Sequence, residues 1–291
     1  MDWKIAQKQF YPDIRNFILK REWTCCSFSS IFKEYNSLKL KPKENIIIFV
    51  NQNGKEGSIQ ETVMFTQHGI IYPVFNDYDY SPSSYSFKSL KLMIPYYTDY
   101  LKNLHSIIGI DRHVLRMEQL LGRNPIAHVE YYLMAASLHD YIPPDHKINK
   151  LKIRIAKSKD VVSLFPLQKA YEYEEVYINP KRFDPELCMT NLKQTIKKEL
   201  IFIAEIDKIP VAKAGTNAQG YKYNQIGGVF TNKKLRKKGI GSQVVAFLCE
   251  HIFNENKAIC LFVKKTNIPA LKLYKKLGFQ IKDNFRISYF K

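Results

Sequence analysis

From Leu151 onward the chain runs through ten strand-like and helix-like segments with little slack between them, and this order restricts the fold more than any other feature. "LKIRIAK" (151–157) alternates apolar and polar residues, as a half-buried strand does. "DVVSLFPLQKAYEYEEV" and "DPELCMTNLKQTIKKEL" have helical spacing, and Asp184-Pro185 is a good helix start. "IFIAEID" and "KIPVAKAGT" read as strand, turn, strand, and "YNQIGGVFT" as a third strand. An apolar helix then runs from the 235–248 stretch to about residue 254. "AICLFVKKT" is a strand, "NIPALKLYKKLGF" a helix, and "FQIKDNFRISYF" one or two closing strands. The order β-α-α-β-β-β-α-β-α-β predicts an α/β (α+β) domain with a mixed sheet.

At 291 residues the chain is long for one domain and comfortable for two. A break falls at "LHDYIPPDHKINK" (138–150), where Pro143-Pro144 and polar residues separate apolar segments. Two domains are therefore expected, residues 1–145 and 150–291. The first echoes the second. A helix ("PDIRNFILKREW") precedes a strand pair ("NIIIFVNQNG", "ETVMFTQHGIIYPVF"), a helix-like stretch ("LKLMIPYYTDYLKNLHSII") and a strand ("HVEYYLMAAS"). A diverged internal repeat of the same half-fold and a generic α+β domain both give this pattern.

Charge and cysteine usage narrow the function classes. The 45 Lys+Arg against 27 Asp+Glu give a formal charge of +18. The lysines are spread along the chain without a nucleic-acid motif, which reads as biased composition rather than a nucleic-acid surface. No apolar run approaches the ~18 residues of a membrane helix, and the N-terminus lacks a signal-peptide core. The expectation is a cytoplasmic protein without a membrane partner. The five cysteines form no C-x-x-C pair and read as buried apolar thiols. The seven histidines show no ligand spacing, so no metal is expected.

One basic cluster stands out. "LRKKGIGSQVVAFL" (235–248) sets Arg236, Lys237 and Lys238 against Gly239 and Gly241, at the start of an apolar helix. A helix N-terminus offers free N–H groups and partial positive charge. Glycines let a phosphate approach that backbone. The run Val244, Val245, Phe247, Leu248, Ile252, Phe253 is expected to anchor the helix on the sheet. The stretch reads as a pyrophosphate cradle. It lacks the G-x-x-x-x-G-K-[ST] of a Walker loop and, with Val244, the last glycine of G-x-G-x-x-G.

Arg236-x-x-Gly239-x-Gly241 on a strand-to-helix turn resembles the acyl-CoA motif of the GNAT superfamily of N-acetyltransferases. A second GNAT-like motif follows at the expected distance, Asn267-x-x-Ala270-x-x-Leu273-Tyr274-x-x-x-Gly278-Phe279. Asn267 suits an N-cap, Pro269 a first turn and Gly278 a helix stop. The resemblance covers residues 150–291. It implies a mixed, mostly antiparallel sheet flanked by helices, preceded by a second, smaller α/β domain of the same half-fold or of another.

The resemblance implies acetyl-CoA as cofactor and direct attack of a primary amine on the thioester. Arg236, Lys237, Lys238, Gly239, Ile240, Gly241 and Ser242 would hold the pyrophosphate. The strand ending in Val229, Phe230 and Thr231 would pair with the pantetheine arm and offer an N–H to the thioester oxygen. Valine is usual in the family where Thr231 stands. Asn267 and Ala270 would border the cofactor arm. Tyr274, whose ordinary pKa of ~10 lies above the ~8.5 of a thiol, would protonate the departing thiolate in a step expected to be downhill or nearly so. Glu174 and Glu175 are the candidate general base or substrate-binding carboxylates, and a solvated acidic helix end fits them equally. The acceptor would be a small-molecule or peptide amine, and the chain a monomer or homodimer. A non-catalytic acyl-CoA-binding module and a basic nucleic-acid-binding protein are the alternatives.

Overall fold

The computed structural model describes residues 2–37, 46–53, 58–76, 88–91, 101–145, 148–176 and 183–290. They form two compact units. One comprises residues 1–133, 262–266 and 281–291, the other 134–261 and 267–280. The two units therefore trade their last segments, so that compactness follows a different line from the Pro-Pro stretch at 138–150.

In the first unit β1 (Asp2–Ile5) is followed by α1 (Tyr11–Leu19) and α2 (Cys26–Asn36). Then come β2 (Ile46–Asn53), β3 (Ser58–Thr66), β4 (Ile70–Val74), β5 (Ser106–Ile110), α3 (Asp111–Leu121) and β6 (Ala127–Ala136). β1 to β4 pair antiparallel in sequence order, and β4 pairs parallel with β5. The helix expected over 90–108 ends differently. Ser106–Ile110 is a strand, and the helix is Asp111–Leu121, with Asp111 in its first turn and Gly122 as a left-handed stop. Residues 92–100 of that expectation lie outside the described residues. Trp3, Phe49, Val63, Phe65, Ile107, Val114 and Met117 form the core here. The closing strand β12 (Gln280–Tyr289) adds to the unit by pairing antiparallel with β5. Its Phe285 stacks on Phe262 at 4.7 Å, worth ~1 kcal/mol beyond the area buried.

The second unit follows the expected order. β7 (Lys152–Ile155), α4 (Val161–Tyr171), α5 (Pro185–Lys198), β8 (Ile201–Ile206), β9 (Ile209–Gln219) and β10 (Tyr223–Thr231) come first. α6 (Ile240–Asn254), β11 (Ala258–Lys264) and α7 (Ile268–Lys276) follow. β7 to β10 are antiparallel neighbours, and β10 pairs parallel with β11. Among the described residues, each unit thus carries four antiparallel strands followed by a parallel fifth, with two α-helices between the first and second strands. This is a repeat of one half-fold.

Period-two alternation places the helices. Ile201 and Ile203 of β8 join Leu164, Leu167 and Leu192 of α4 and α5. Phe202, between them, meets His251 of α6 at 5.6 Å. The helices therefore cover opposite faces of the sheet. Arg154 ties β7 to the start of α4 and to β8. It bonds Asp160 at 2.8 and 2.9 Å and Glu205 at 3.0 Å. The guanidinium holds the Asp160 carboxyl below the usual range.

One expected anchor faces outward. Phe247 is 41% exposed. It shares with Glu250, His251 and Asn254 the i, i+3, i+4, i+7 stripe that α6 turns away from the sheet. The stretch after β6 is docked rather than slack, since Ile142 N–H donates to Leu277 O at 3.2 Å and Tyr141 packs on Phe253 at 5.4 Å.

Candidate active site

The loop between β10 and α6 has the backbone its glycines suggested. Asn232 caps a 3-10 turn (Lys233–Leu235) by accepting from Lys234 N–H at 3.1 Å. The chain is extended at Arg236, left-handed at Lys237 (φ 63°) and left-handed again at Gly239 (φ 80°), the N-cap of α6. No side chain caps this helix. Its first turn closes with Gln243 N–H donating to Gly239 O at 3.1 Å. The N–H groups of Ile240, Gly241 and Ser242 precede that bond and have no partner inside the helix. A Cβ on Gly241 would sit 3.1 Å from Thr231 Oγ1 and 3.3 Å from Leu273 Cδ1. The end of β10, the start of α6 and the middle of α7 therefore meet at this glycine. These residues suit an anionic diphosphate, through oriented donors, partial positive charge and the cations Arg236, Lys237 and Lys238.

The acidic turn after α4 reaches both motifs. Glu172–Val176 is a π-helical turn that follows a helix carrying Pro166. It swings two consecutive carboxylates into the loop and into α7. Glu174 accepts from Arg236 Nη2 at 2.8 Å and pairs with Lys233 at 3.3 Å. Glu175 accepts from Asn267 Nδ2 at 3.1 Å, while Asn267 Oδ1 caps α7 through Ala270 N–H at 3.2 Å. Arg236 also donates to Thr231 O at 3.1 Å and lies over the Phe230 ring. The structure thus gathers Glu174, Glu175, Thr231, Arg236, Asn267 and Ala270 from three distant stretches of chain. Lys237, Lys238 and Gly239 are exposed beside them, and Ile240 turns into the core.

Tyr274 is buried, with its ring edge-on to Phe279 at 5.7 Å. Burial first, then the neighbouring Tyr171, Cys249 and Glu175, pushes its hydroxyl well above the ordinary tyrosine range. Tyr274 therefore stays protonated at any working pH. The expectation of a downhill or nearly downhill proton transfer does not hold. A phenol at ~10 already gives its proton to a thiolate of conjugate pKa ~8.5 at a cost of ~2 kcal/mol, and burial of the phenol widens that gap. Proton transfer from Tyr274 needs a thiolate destabilised by the same dry surroundings.

β10 is irregular over its second half. Its pairing with β11 covers Tyr223–Ile226. Against β9 the register runs Gly227 to Gly215 and then Phe230 to Lys213. Gly228 and Val229 thus oppose a single residue, Ala214, which is a β-bulge. Gly228 has φ 60°, a conformation glycine adopts without penalty.

Sequence reasoning missed Lys213. It is 4% exposed, and its Nζ donates to Gly228 O at 2.7 Å and lies 4.4 Å over the Tyr171 ring. Burial pulls its ammonium down to about 8, opposed by the nearby Glu172 carboxylate. Glu172 also accepts from Gln168 at 2.8 Å and bonds Cys188, whose thiol is pushed up to about 12 by burial and by that carboxylate. The signal was a lone lysine in "VAKAGT", on the same strand face as Val211 and Gly215.

Residues 212–287 match the model of the family described as FR47-like protein. No curated protein matches the chain. Among solved structures, a protein of Drosophila aligns over 99% of this chain and 98% of its own, with TM-score 0.69 and 11% identity. A tandem GNAT protein from the clavulanic acid biosynthesis pathway aligns over 100% and 98%, with TM-score 0.61 and 9% identity. A GCN5-related N-acetyltransferase from Sphaerobacter thermophilus aligns over 98% and 93%, with TM-score 0.57 and 14% identity. These likenesses, at such identities, are likenesses of fold.

Proposed function

We propose, on the premise that this chain has a tandem GNAT fold with an FR47-like domain at its C-terminal end, that it moves an acetyl group from acetyl-CoA to a primary amine. The observation that carries this reading is the uncapped start of α6. Gly239 is left-handed there, Arg236 lies beside it, and Gly241 packs against both β10 and α7.

Acetyl-CoA supplies the activated thioester and a diphosphate handle. The N–H groups of Ile240, Gly241 and Ser242 bind the diphosphate, with Arg236, Lys237 and Lys238 as countercharge. Val229, Phe230 and Thr231 present backbone along the pantetheine arm, beyond the point where β11 stops pairing. An N–H of this bulged stretch stabilises charge developing on the thioester oxygen. The acceptor's neutral amine forms the C–N bond as the C–S bond breaks, and Tyr274 gives the departing sulfur its proton. In this reading Glu175, which accepts from Asn267 of the second motif, takes the proton from the amine, directly or through water. Glu174 has a different part, as the anion that occupies Arg236 until a diphosphate replaces it.

Calorimetric titration with acetyl-CoA tests this reading. One site per chain is expected, followed by acetylation of members of a primary-amine panel. No binding at millimolar concentration would overturn it.

A further inference from the structure

The buried ammonium of Lys213 has no part in the roles described so far, yet it is bonded to the bulge where acyl transfer would occur. Four elements surround it: Tyr171 from α4, Glu172 from the π-helical turn, Cys188 from α5 and Gly228 from β10. The ammonium donates a hydrogen bond to Gly228 O, at 2.7 Å. That carbonyl belongs to the part of β10 skipped by the ladder with β9. The bond holds that carbonyl with a side chain of the neighbouring strand.

Peptide geometry carries the consequence one atom further. The Gly228–Val229 peptide is planar and trans, so its C=O and its N–H point in opposite directions. A donor that fixes Gly228 O also fixes Val229 N–H, aimed away from the ammonium.

We propose that Lys213 is a positioning residue for the transfer step, holding the Gly228–Val229 peptide so that Val229 N–H is the donor to the thioester oxygen. This rests on the acyltransferase reading above. It adds that the donor's aim is set by a side chain of the neighbouring strand rather than by strand pairing. It also accounts for a lysine kept in a strand interior where an apolar residue would cost less to bury.

The test compares the parent chain with Lys213→Met, a volume-conserving change in a packed interior. Infrared difference spectra of bound acetyl-CoA carrying 13C at the thioester carbonyl report the hydrogen bond to that oxygen without any acceptor. In the parent the carbonyl band is expected below its position in free acetyl-CoA. In Lys213→Met that shift is expected to fall by about half or more, while the affinity for coenzyme A without acetyl changes by less than about threefold. Gly228→Ala disturbs the same contact from the other side, because its Cβ would lie 3.1 Å from Lys213 Nζ at a φ of 60°. It is expected to move the band in the same direction.

Bands in Lys213→Met and Gly228→Ala that coincide with the parent's would overturn the role of Lys213. Loss of coenzyme A affinity together with the band shift would also overturn it, since a general structural role predicts that. A parent chain that binds no coenzyme A would instead overturn the acyltransferase reading on which the proposal rests.

Discussion

Glu174 and Arg236 are 62 residues apart in the chain and 2.8 Å apart in space. The arginine that begins the glycine-containing basic motif is thus already bonded to a carboxylate, with Lys233 on the other oxygen. The next residue, Glu175, makes the matching contact to Asn267, which begins the second motif. One acidic turn holds both motifs, and in the proposed function a diphosphate displaces part of it.

Glu174→Gln keeps the size and one acceptor and removes the competing charge. Acetyl-CoA affinity is expected to rise about threefold to fivefold at low salt, the scale of a partly exposed ion pair. The gain should shrink in 0.5 M salt. Calorimetry at the two salt concentrations checks this, and unchanged affinity at low salt would mean that Glu174 does not compete.

Gly239→Ala has room for its methyl group, since the nearest atom, Ile148 Cδ1, is 3.6 Å away. What opposes it is the φ of 80°, which costs an alanine ~1–2 kcal/mol. The melting temperature should fall by a few degrees. Acetyl-CoA affinity should fall about tenfold or more, because relaxing that angle turns the first N–H groups of α6 away from the anion.

Tyr274→Phe removes a hydroxyl and leaves the ring contact with Phe279. Acetyl-CoA affinity is expected to stay within about twofold, and turnover to fall by about 100-fold. Steady-state kinetics against titrated affinity separate the two. A mutant with the parent's rate across the pH range would remove Tyr274 from the chemistry.

Lys213 links stability to pH. Its ammonium is depressed to about 8 in the fold, against 10.5 ordinarily. Between those values the unfolded chain holds a proton that the folded chain has lost, so stability rises with pH through that window. The rise attributable to this group is up to ~3 kcal/mol. Above pH 10 the buried Tyr274, raised rather than lowered, works in the opposite direction. Urea unfolding at pH 7, 8, 9 and 10 should show the rise in the parent and a flatter course in Lys213→Met. A parallel course in both would show that Lys213 is not the source.

The order of elements in the second unit could be read from residue patterns because every signal for it is local. Alternation makes β8 and β9, Asp184-Pro185 opens α5, and Asn267 and Pro269 open α7. Such signals act within a few residues, through backbone angles and orphan N–H groups. The left-handed Gly239 and its uncapped helix belong to the same class. The first unit shows where locality fails. β5 is a short apolar run that helical spacing absorbs as easily as strand alternation, and its identity comes from pairing with β4 and β12. The exposed Phe247 is a similar case, since apolar character does not say which way a helix will turn.

The chemistry of the loop is thus written in residues that lie side by side in the chain, where glycines and cations act on a helix start that they themselves create. The company those residues keep depends on folding. Glu174 with Arg236, Glu175 with Asn267 and Lys213 under Gly228 join positions 15 to 92 residues apart. No local propensity favours such contacts. They form because burying the α4–α5 face of the sheet carries the acidic turn to the loop and seals one lysine beneath a bulge. Burial, a property of the assembled unit, also sets the protonation of Lys213 and Tyr274.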